Sequence, residues 1–527
     1  MEISARTSSC VVRVLLLGLG FVASQIGFGS AFGSAFGSAL DETGPVRANA
    51  TGKAHRTYAD DYQSIRDFLL LADPDARPYY RFLTFSPLAV PFADEREKAR
   101  MHLAVTKLLN SVSWESTLVR PEIVPGTSGL ILAFDLRTLR WTAANQWLGI
   151  VQHYPYGLKF DYTTNTTLRQ AAADVQELSQ AETPLVRADW FIYAVSQPPL
   201  YPQLLQLPAE LIELERRLGV DIEQNVARGQ VARAGFSQSG MSPQNRLIER
   251  HEGKYGAVWV GYEFLPRRGK GDLVRYPLGP RSDSNPFNRH AFQPDGRSLL
   301  FHLPNGLLGY YLVDSHGQRV DQVSNNHLLY DQQAISGTPS MVAGLSCINC
   351  HQQGLQTEFR DEVRLAGVLS GDGLERLEQI YLPAERLQVL ARRDQQVFWN
   401  ALRQIQSPDE ATTVSHRTAE SLDGTATTNA EPIGEAVSRY LQDLGPAEVA
   451  AELGLPDIEA IRSQIQLKPT LRQLGLGTLL PDQAGRIKRQ RWEAIDGTSL
   501  YQDVAMELGL GTPVQSGSTH KPRSMQP

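Results

Sequence analysis

Apolar residues recur at helical spacing through the first third of the chain. Ile65, Phe68, Leu69 and Leu71 predict one helix face, ended by Asp73-Pro74. The neighbouring acidic pair Asp60-Asp61 reads as a solvated helix start and is given no chemical role. A second helix is predicted from Asp94-Glu95 through Met101, Val105, Leu108 and Leu109. The unbroken run from Leu130 to Leu136 fits a largely buried strand, and Leu211, Leu214 and Leu218 predict a helix starting at Pro208 and stopped by Gly219. From Tyr255 to Val323 the character changes. Val258, Trp259, Val260, Tyr262, Phe264, Leu299, Leu300 and Phe301 are strand formers. Asn305-Gly306 between Phe301-His302-Leu303 and Leu307-Leu308 signals a hairpin despite Pro304, and Asp314-Ser315-His316-Gly317 signals the next turn. This section is expected to be an antiparallel meander. Helical spacing returns at Leu387, Leu390, Val397, Phe398 and Leu402. Residues 407–431 carry almost no large apolar side chain and read as a flexible linker. Beyond them Val449–Leu455 is echoed by Val504–Leu510, each a helical turn closed by glycine.

One short stretch carries chemistry. Cys347-Ile348-Asn349-Cys350-His351 spells Cys-x-x-Cys-His, the pattern by which a polypeptide takes up haem c covalently. Each thiol adds to one porphyrin vinyl group, and the imidazole of His351 follows as the proximal iron ligand. Other readings of the thiols are weaker. A zinc site needs further ligands, and the only other cysteine is Cys10. A thioredoxin-like dithiol normally follows a strand in a βαβ unit, whereas Ser336-Gly337-Thr338-Pro339 approaches this motif as a loop. A structural disulfide across so short a loop stabilises little.

The N-terminus supplies a matching compartment. Arg6 and Arg13 precede an apolar run from Val14 to Ala23, too short to span a bilayer. Small residues recur in the Phe-Gly-Ser-Ala repeats over 28–39, so a signal peptide cleaved after Ala39 is expected, with Ala31 and Ala35 as alternatives, or else an uncleaved anchor. The body of the protein is then periplasmic or otherwise extracytoplasmic, where only Cys347 and Cys350 remain as thiols. The whole chain has a formal charge of −6, and loss of residues 1–39 leaves 49 basic against 56 acidic residues. That balance argues against nucleic acid and favours a redox partner with a basic docking surface. No transmembrane span is expected in the mature chain.

At Cys347–His351, with Gly344 and Gly354 flanking, the chain resembles single-haem c-type cytochromes. The stretch Phe301–Leu307 looks like those of large exported bacterial cytochrome c family proteins with a long accessory region. The resemblance covers the motif closely and the following helices loosely. It implies one covalent haem c, with Cys347 and Cys350 as thioether sites and His351 as proximal ligand. A downstream methionine would usually complete such a site, but only Met506 and Met525 lie downstream. Met506 aligns with Ala451 in the internal repeat and reads as a core residue. Met506, Met341, His302, His251, His290 or an open position remain as alternatives for the sixth ligand.

The expected fold class is α+β. A signal peptide (1–39) precedes an N-terminal mixed α/β region (40–250) and a β-rich section forming a central antiparallel β meander (251–330). A haem-binding helical region (331–406), the linker (407–431) and a C-terminal helical region with a polar tail (432–527) follow, the C-terminal part being mainly α-helical and cytochrome c-like. A sealed iron makes the chain an electron carrier, and an open one a peroxidase-like enzyme or small-ligand sensor. In a third reading residues 58–330 bind a partner or substrate whose electrons drain through the haem.

Overall fold

Capping chemistry sets the first helices. Thr57 opens α1 (Tyr58–Leu71) with a capping box, its side chain accepting from the Asp60 N–H while the Asp60 carboxylate accepts from the Thr57 N–H. The computed structural model describes residues 56–514 apart from 89–91, 93, 238, 240, 243, 266–268, 270, 324–327 and 407–431. The signal segment 1–39 and the linker 407–431 therefore lie outside the described residues. Helix α1 buries Tyr62, Ile65 and Leu69. Leu71 is 86% exposed, because two residues beyond Leu69 is about 200° round a helix. Asp61 is not solvated as its sequence suggested. It is buried and accepts hydrogen bonds from Thr84 Oγ1 and Ser86 Oγ, each at 2.9 Å, with Arg56 beside it.

Strand β1 (Tyr80–Thr84) leads to α2 (Glu95–Ser111), capped by the Asp94 carboxylate, then to β2 (Glu122–Ile123) and β3 (Ile131–Asp135). Next come α3 (Gln146–Gln152), β4 (Leu158–Lys159), α4 (Thr166–Ser179), β5 (Leu185–Arg187), α5 (Ala188–Val195), α6 (Leu200–Leu204), α7 (Leu211–Leu218) and α8 (Ile222–Arg228). The first sheet has the order β2-β3-β1-β5, with β1 antiparallel to β3 and parallel to β5. Helix α7 begins at Leu211 instead of Pro208, because Glu210 pairs with Gln318 and the Leu211 N–H is held by the Gly317 carbonyl.

A six-stranded antiparallel meander follows: β6 (Ala232–Phe236), β7 (Arg246–Gly253), β8 (Gly256–Glu263), β9 (Gly296–His302), β10 (Leu308–Asp314) and β11 (Arg319–Val320), each paired with its sequence neighbour. In the β9–β10 turn the Gly306 N–H returns to the Leu303 carbonyl and Gly306 takes φ +86°, so Pro304 occupies the first central position, where its fixed φ is an asset. One sheet face is packed with Leu247, Val258, Val260, Leu299 and Phe301 around a buried polar group. There Glu249 accepts from Arg233, from Tyr262 Oη at 2.6 Å and from His251 Nε2 at 2.8 Å. Burial pushes the Glu249 carboxyl up, but Arg233 and His251 overcome this and hold it at about 2. By strand alternation and register the opposite face presents Phe236, Arg246, Ile248, Trp259, Gly261, Ser298, Leu300, Tyr310 and Leu312.

Beyond the meander lie β12 (Gln322–Val323) and β13 (Met341–Val342), paired antiparallel, then α9 (Leu345–Cys350), α10 (Asp372–Ile380) and α11 (Ala384–Gln406). The last stretch contains α12 (Pro432–Tyr440), α13 (Pro446–Glu452), α14 (Ile458–Leu467), α15 (Pro469–Gln473), α16 (Arg489–Glu493), α17 (Leu500–Glu507) and β14 (Thr512–Pro513), which pairs back onto β4. The fold is thus mixed α and β, with sheets that are antiparallel apart from the β1–β5 pair. The internal repeat is structural: α13 and α17 close alike, with Gly454 and Gly509 at positive φ and the Leu455 and Leu510 N–H groups returning to Ala450 and Ala505. One buried core links residues from Ala59 to Ala505. No described helix is long and apolar enough to cross a membrane.

Candidate functional site

The Cys-x-x-Cys-His motif forms α9, a helix of six residues and too short to persist alone. Its neighbours fix it. Gly344 starts it at φ +85° and ψ −83°, pressed so closely on the Ser196 carbonyl that a Cβ would strike that oxygen and lie 2.8 Å from the Tyr201 ring. Ser346 Oγ donates to Asp331 at 2.7 Å and accepts from the Val342 N–H at 3.1 Å. Asn349 donates to Gln333, and α12 packs on the helix with Gly434 against Asn349 Oδ1. Downstream, α11 pins the loop that follows His351. The Gln395 side chain donates to the carbonyls of Gln353 and Leu355, Trp399 Nε1 donates to Gln353, and a Cβ on Gly354 would meet Phe398 at 2.7 Å.

Helix α11 is itself docked on the meander. Asp394 accepts from Arg250 at 2.7 and 2.9 Å and from Trp259 Nε1 at 3.0 Å. Between this assembly and the sheet lies a cavity of about 890 Å³. Cys347, Cys350 and His351 line it together with Met341, and the sheet contributes Arg246, Trp259, Ser298 and Tyr310 among others. The segment 356–362 forms a further wall along edge strand β6, where the Glu362 N–H bonds the Gly235 carbonyl and Phe359 stacks on Trp259. Its volume falls within the ~300–1,000 Å³ usual for organic ligands and cofactors.

The motif side chains carry distinct electrostatics. Cys347 is buried, and burial pushes its thiol up to about 12; burial also raises Cys350. Neither is an activated thiolate, and no disulfide joins them. That disfavours a dithiol oxidoreductase, whose attacking sulfur needs a lowered pKa. Among the described residues no group of three or more His, Cys, Asp or Glu is placed to hold a bare metal ion. In His351 Nδ1 lies 2.9 Å from the Gly354 carbonyl, which fixes the tautomer with its proton there. Burial lowers the imidazole pKa, so the ring is neutral and Nε2 keeps its lone pair.

The other expected ligands separate. Met341 is buried and lines the cavity. Met506 does not: it is 52% exposed, so it is not the core residue its alignment with Ala451 suggested. His302 is buried with Nε2 3.0 Å from the Asp394 carbonyl, and His251 is held by Glu249 and Asn225, so both are structural histidines of the sheet. Neither they nor His290 line the cavity. The sequence reading missed Met241, Arg246 and Ser298, all on the cavity wall. Arg246 Nη1 donates to Met241 Sδ at 3.0 Å. No spacing signal ties these residues to a motif that begins at Cys347, far downstream of all three. Comparison with protein-family models, curated proteins and solved structures finds no match for this chain.

Proposed function

We propose that this chain is an extracytoplasmic c-type cytochrome that binds one haem through Cys347 and Cys350, with His351 as proximal ligand, and transfers single electrons. The observation that carries the reading is the meeting of both thiols and a neutral imidazole on one wall of an 890 Å³ cavity. A bound haem supplies reversible one-electron chemistry at its iron.

The residues present fit that group. His351 offers Nε2 because Nδ1 is committed to Gly354, the carbonyl partner that orients metal-binding histidines generally. Cys347 and Cys350 stay protonated and unpaired, available for thioether formation. Trp259, Leu300, Tyr310, Leu312 and Phe359 give apolar walls that exclude water. Met341 is the candidate for a second protein ligand, because it is buried and shares the cavity; Met506 is not retained. The motif's likeness to c-type cytochromes and the signal-like N-terminus support periplasmic residence, and the acidic balance supports a basic redox partner.

The test is the absorption spectrum of the purified, reduced protein. Colour retained after acid-acetone extraction, and lost in the Cys347→Ser/Cys350→Ser variant, is expected. A sharp α-band unchanged by carbon monoxide fits an electron carrier. A rapid shift with carbon monoxide replaces the carrier by an open-iron enzyme or sensor, and a colourless protein refutes the haem reading.

A further inference from the structure

The cavity has a second chemical feature, on the wall across from α9. At the end of the cavity-facing side of the meander, neighbouring strands bring together Arg246 of β7, Glu263 of β8 and Ser298 of β9. Arg246 Nη2 lies 3.1 Å from both Glu263 Oε1 and Ser298 Oγ, and Ser298 Oγ donates to Glu263 Oε1 at 2.9 Å. Gly261 makes the room, since a Cβ there would meet Ser298 Oγ at 2.5 Å and Arg246 Nη2 at 2.7 Å. Two polar atoms of this cluster are left over. Among the described residues, Arg246 Nε and Glu263 Oε2 are both buried and have no hydrogen-bond partner. A buried polar atom without a partner calls for an explanation, and here the two lie together beside a cavity.

Their chemistry defines the partner. A guanidinium carries five N–H donors and no acceptor. Arg246 uses some on Glu263 and Ser298 and one on a thioether sulfur, a weak acceptor, so the cluster lacks an acceptor facing the arginine. Glu263 is 1% exposed, and its burial favours the neutral carboxyl. Protonation would give Oε2 a hydrogen to donate but would leave the Arg246 charge uncompensated. An anion against Arg246 and a proton on Glu263 together satisfy both orphans and keep the site electrically balanced.

We propose that Arg246, Glu263 and Ser298 form an anion site in the cavity, taking a small carboxylate or oxyanion with one proton. Binding of a free anion goes beyond the haem reading and does not depend on it. Occupation by a carboxylate of the porphyrin rests on that reading. Other groups around the cavity are Cys347, Cys350 and His351 from α9 and its C-terminus, Tyr310 from β10, and Glu358, Arg360 and Glu362 at the exposed rim. Asp295 lies behind the cluster, engaged with the Leu265 N–H. Among them His351 and both thiols are held neutral by burial, so Glu263 is the group whose proton tracks the anion.

The test is calorimetric titration of sodium formate into the full-length protein, as purified and as the Cys347→Ser/Cys350→Ser variant, in buffers of different ionisation heat. Wild-type binding is expected to weaken about tenfold per pH unit above the Glu263 pKa, with one proton taken up per formate. Glu263→Gln keeps a donor without a titrating proton, so its affinity is expected to be independent of pH and its proton uptake zero. Arg246→Gln abolishes binding. Formate binding in both forms identifies a free-anion site, and binding only in the haem-free form identifies the porphyrin carboxylate as the occupant. No binding in either form, unchanged binding in Arg246→Gln, or proton uptake persisting in Glu263→Gln overturns the proposal. Should Arg246→Gln fail to fold, the Glu263→Gln result decides alone. A colourless wild-type protein that binds formate with its proton removes the haem reading and leaves this one standing.

Discussion

Replacing Gly344 by alanine separates two causes that fix the Cys-x-x-Cys-His helix. The first is conformational: Gly344 holds φ +85° and ψ −83°, outside the left-handed helical region, where an L side chain costs roughly 1–3 kcal/mol. The second is steric. The added Cβ would strike the Ser196 carbonyl and sit 2.8 Å from Tyr201, whose Oη accepts the Tyr310 N–H from strand β10. Overpacking of that kind costs roughly 1–3 kcal/mol when backbone must yield. The sum is about 2–6 kcal/mol, a large share of the ~5–15 kcal/mol that holds a typical domain. Gly337 supplies the control. It has φ +83° but nothing within 4 Å of a built Cβ, so Gly337→Ala should show the cost of a positive φ without the steric one. Urea unfolding followed by circular dichroism measures both. If the two variants agree to within about 0.5 kcal/mol, the close approach of α9 to the α5–α6 turn is not what seats the motif.

Asp394→Asn removes the charge that holds Arg250 and leaves one acceptor oxygen where two served Arg250 and Trp259, so it should destabilise by roughly 3 kcal/mol in the same urea assay. An unchanged midpoint would mean that α11 is not docked through this residue. Glu493 is pushed up to about 7, chiefly by burial, with Tyr156 Oη 2.7 Å away and Tyr440 bonded to it. Because the folded pKa is the higher one, its contribution is complete below the ordinary value of 4.5 and is lost as pH rises through about 7. The loss is at most about 3 kcal/mol. Wild type should therefore lose stability relative to Glu493→Gln between about pH 5 and pH 8, and parallel urea midpoints across that window would contradict this. Met341→Ala opens the buried cavity wall and should cost about 2–5 kcal/mol and alter the spectrum of the coloured protein, whereas Met506→Ala should change stability by less than ~0.5 kcal/mol and leave the spectrum intact. A spectral change confined to Met506→Ala would reverse the ligand assignment.

Local chemistry explains what could be read from residues alone. Asp94 caps α2, Gly219 ends α7 at φ +66°, and Gly454 and Gly509 close the repeated turns, because each acts within a few residues of itself. The hairpin at Pro304-Asn305-Gly306 is legible for the same reason. The facing wall of the site is not. Strand β8 is buried along nearly its whole length, so polar and apolar residues do not alternate and nothing marks Gly261 as cavity-facing or Glu263 as sharing its side of the sheet. In β7, Arg246, Ile248 and Arg250 face one way and Leu247, Glu249 and His251 the other, with charge on both sides. Such a strand has no readable amphipathic period. Met506 misleads because repetition preserves the helix closure but not the neighbours, so the position buried as Ala451 in α13 is open in α17.

The placement of α9 depends on chain that lies far from it in sequence. A six-residue helix contributes almost nothing to its own stability, so its position records the forces from its neighbours. Tyr201 and Ser196 press from the N-terminal half, Asp331 and Gln333 bond from the approach, and α11 clamps the loop after His351. Helix α12 then closes the back through Gly434, and its last residue, Tyr440, joins Tyr156, Glu452, Arg489 and Glu493 in a buried polar group that also reaches Arg187 and Asp189. The residues after 431 are therefore part of what orients the imidazole. An imidazole held this way is oriented in advance, so little conformational change would accompany a change of charge at the proposed haem site. That is the physical condition a single-electron carrier needs.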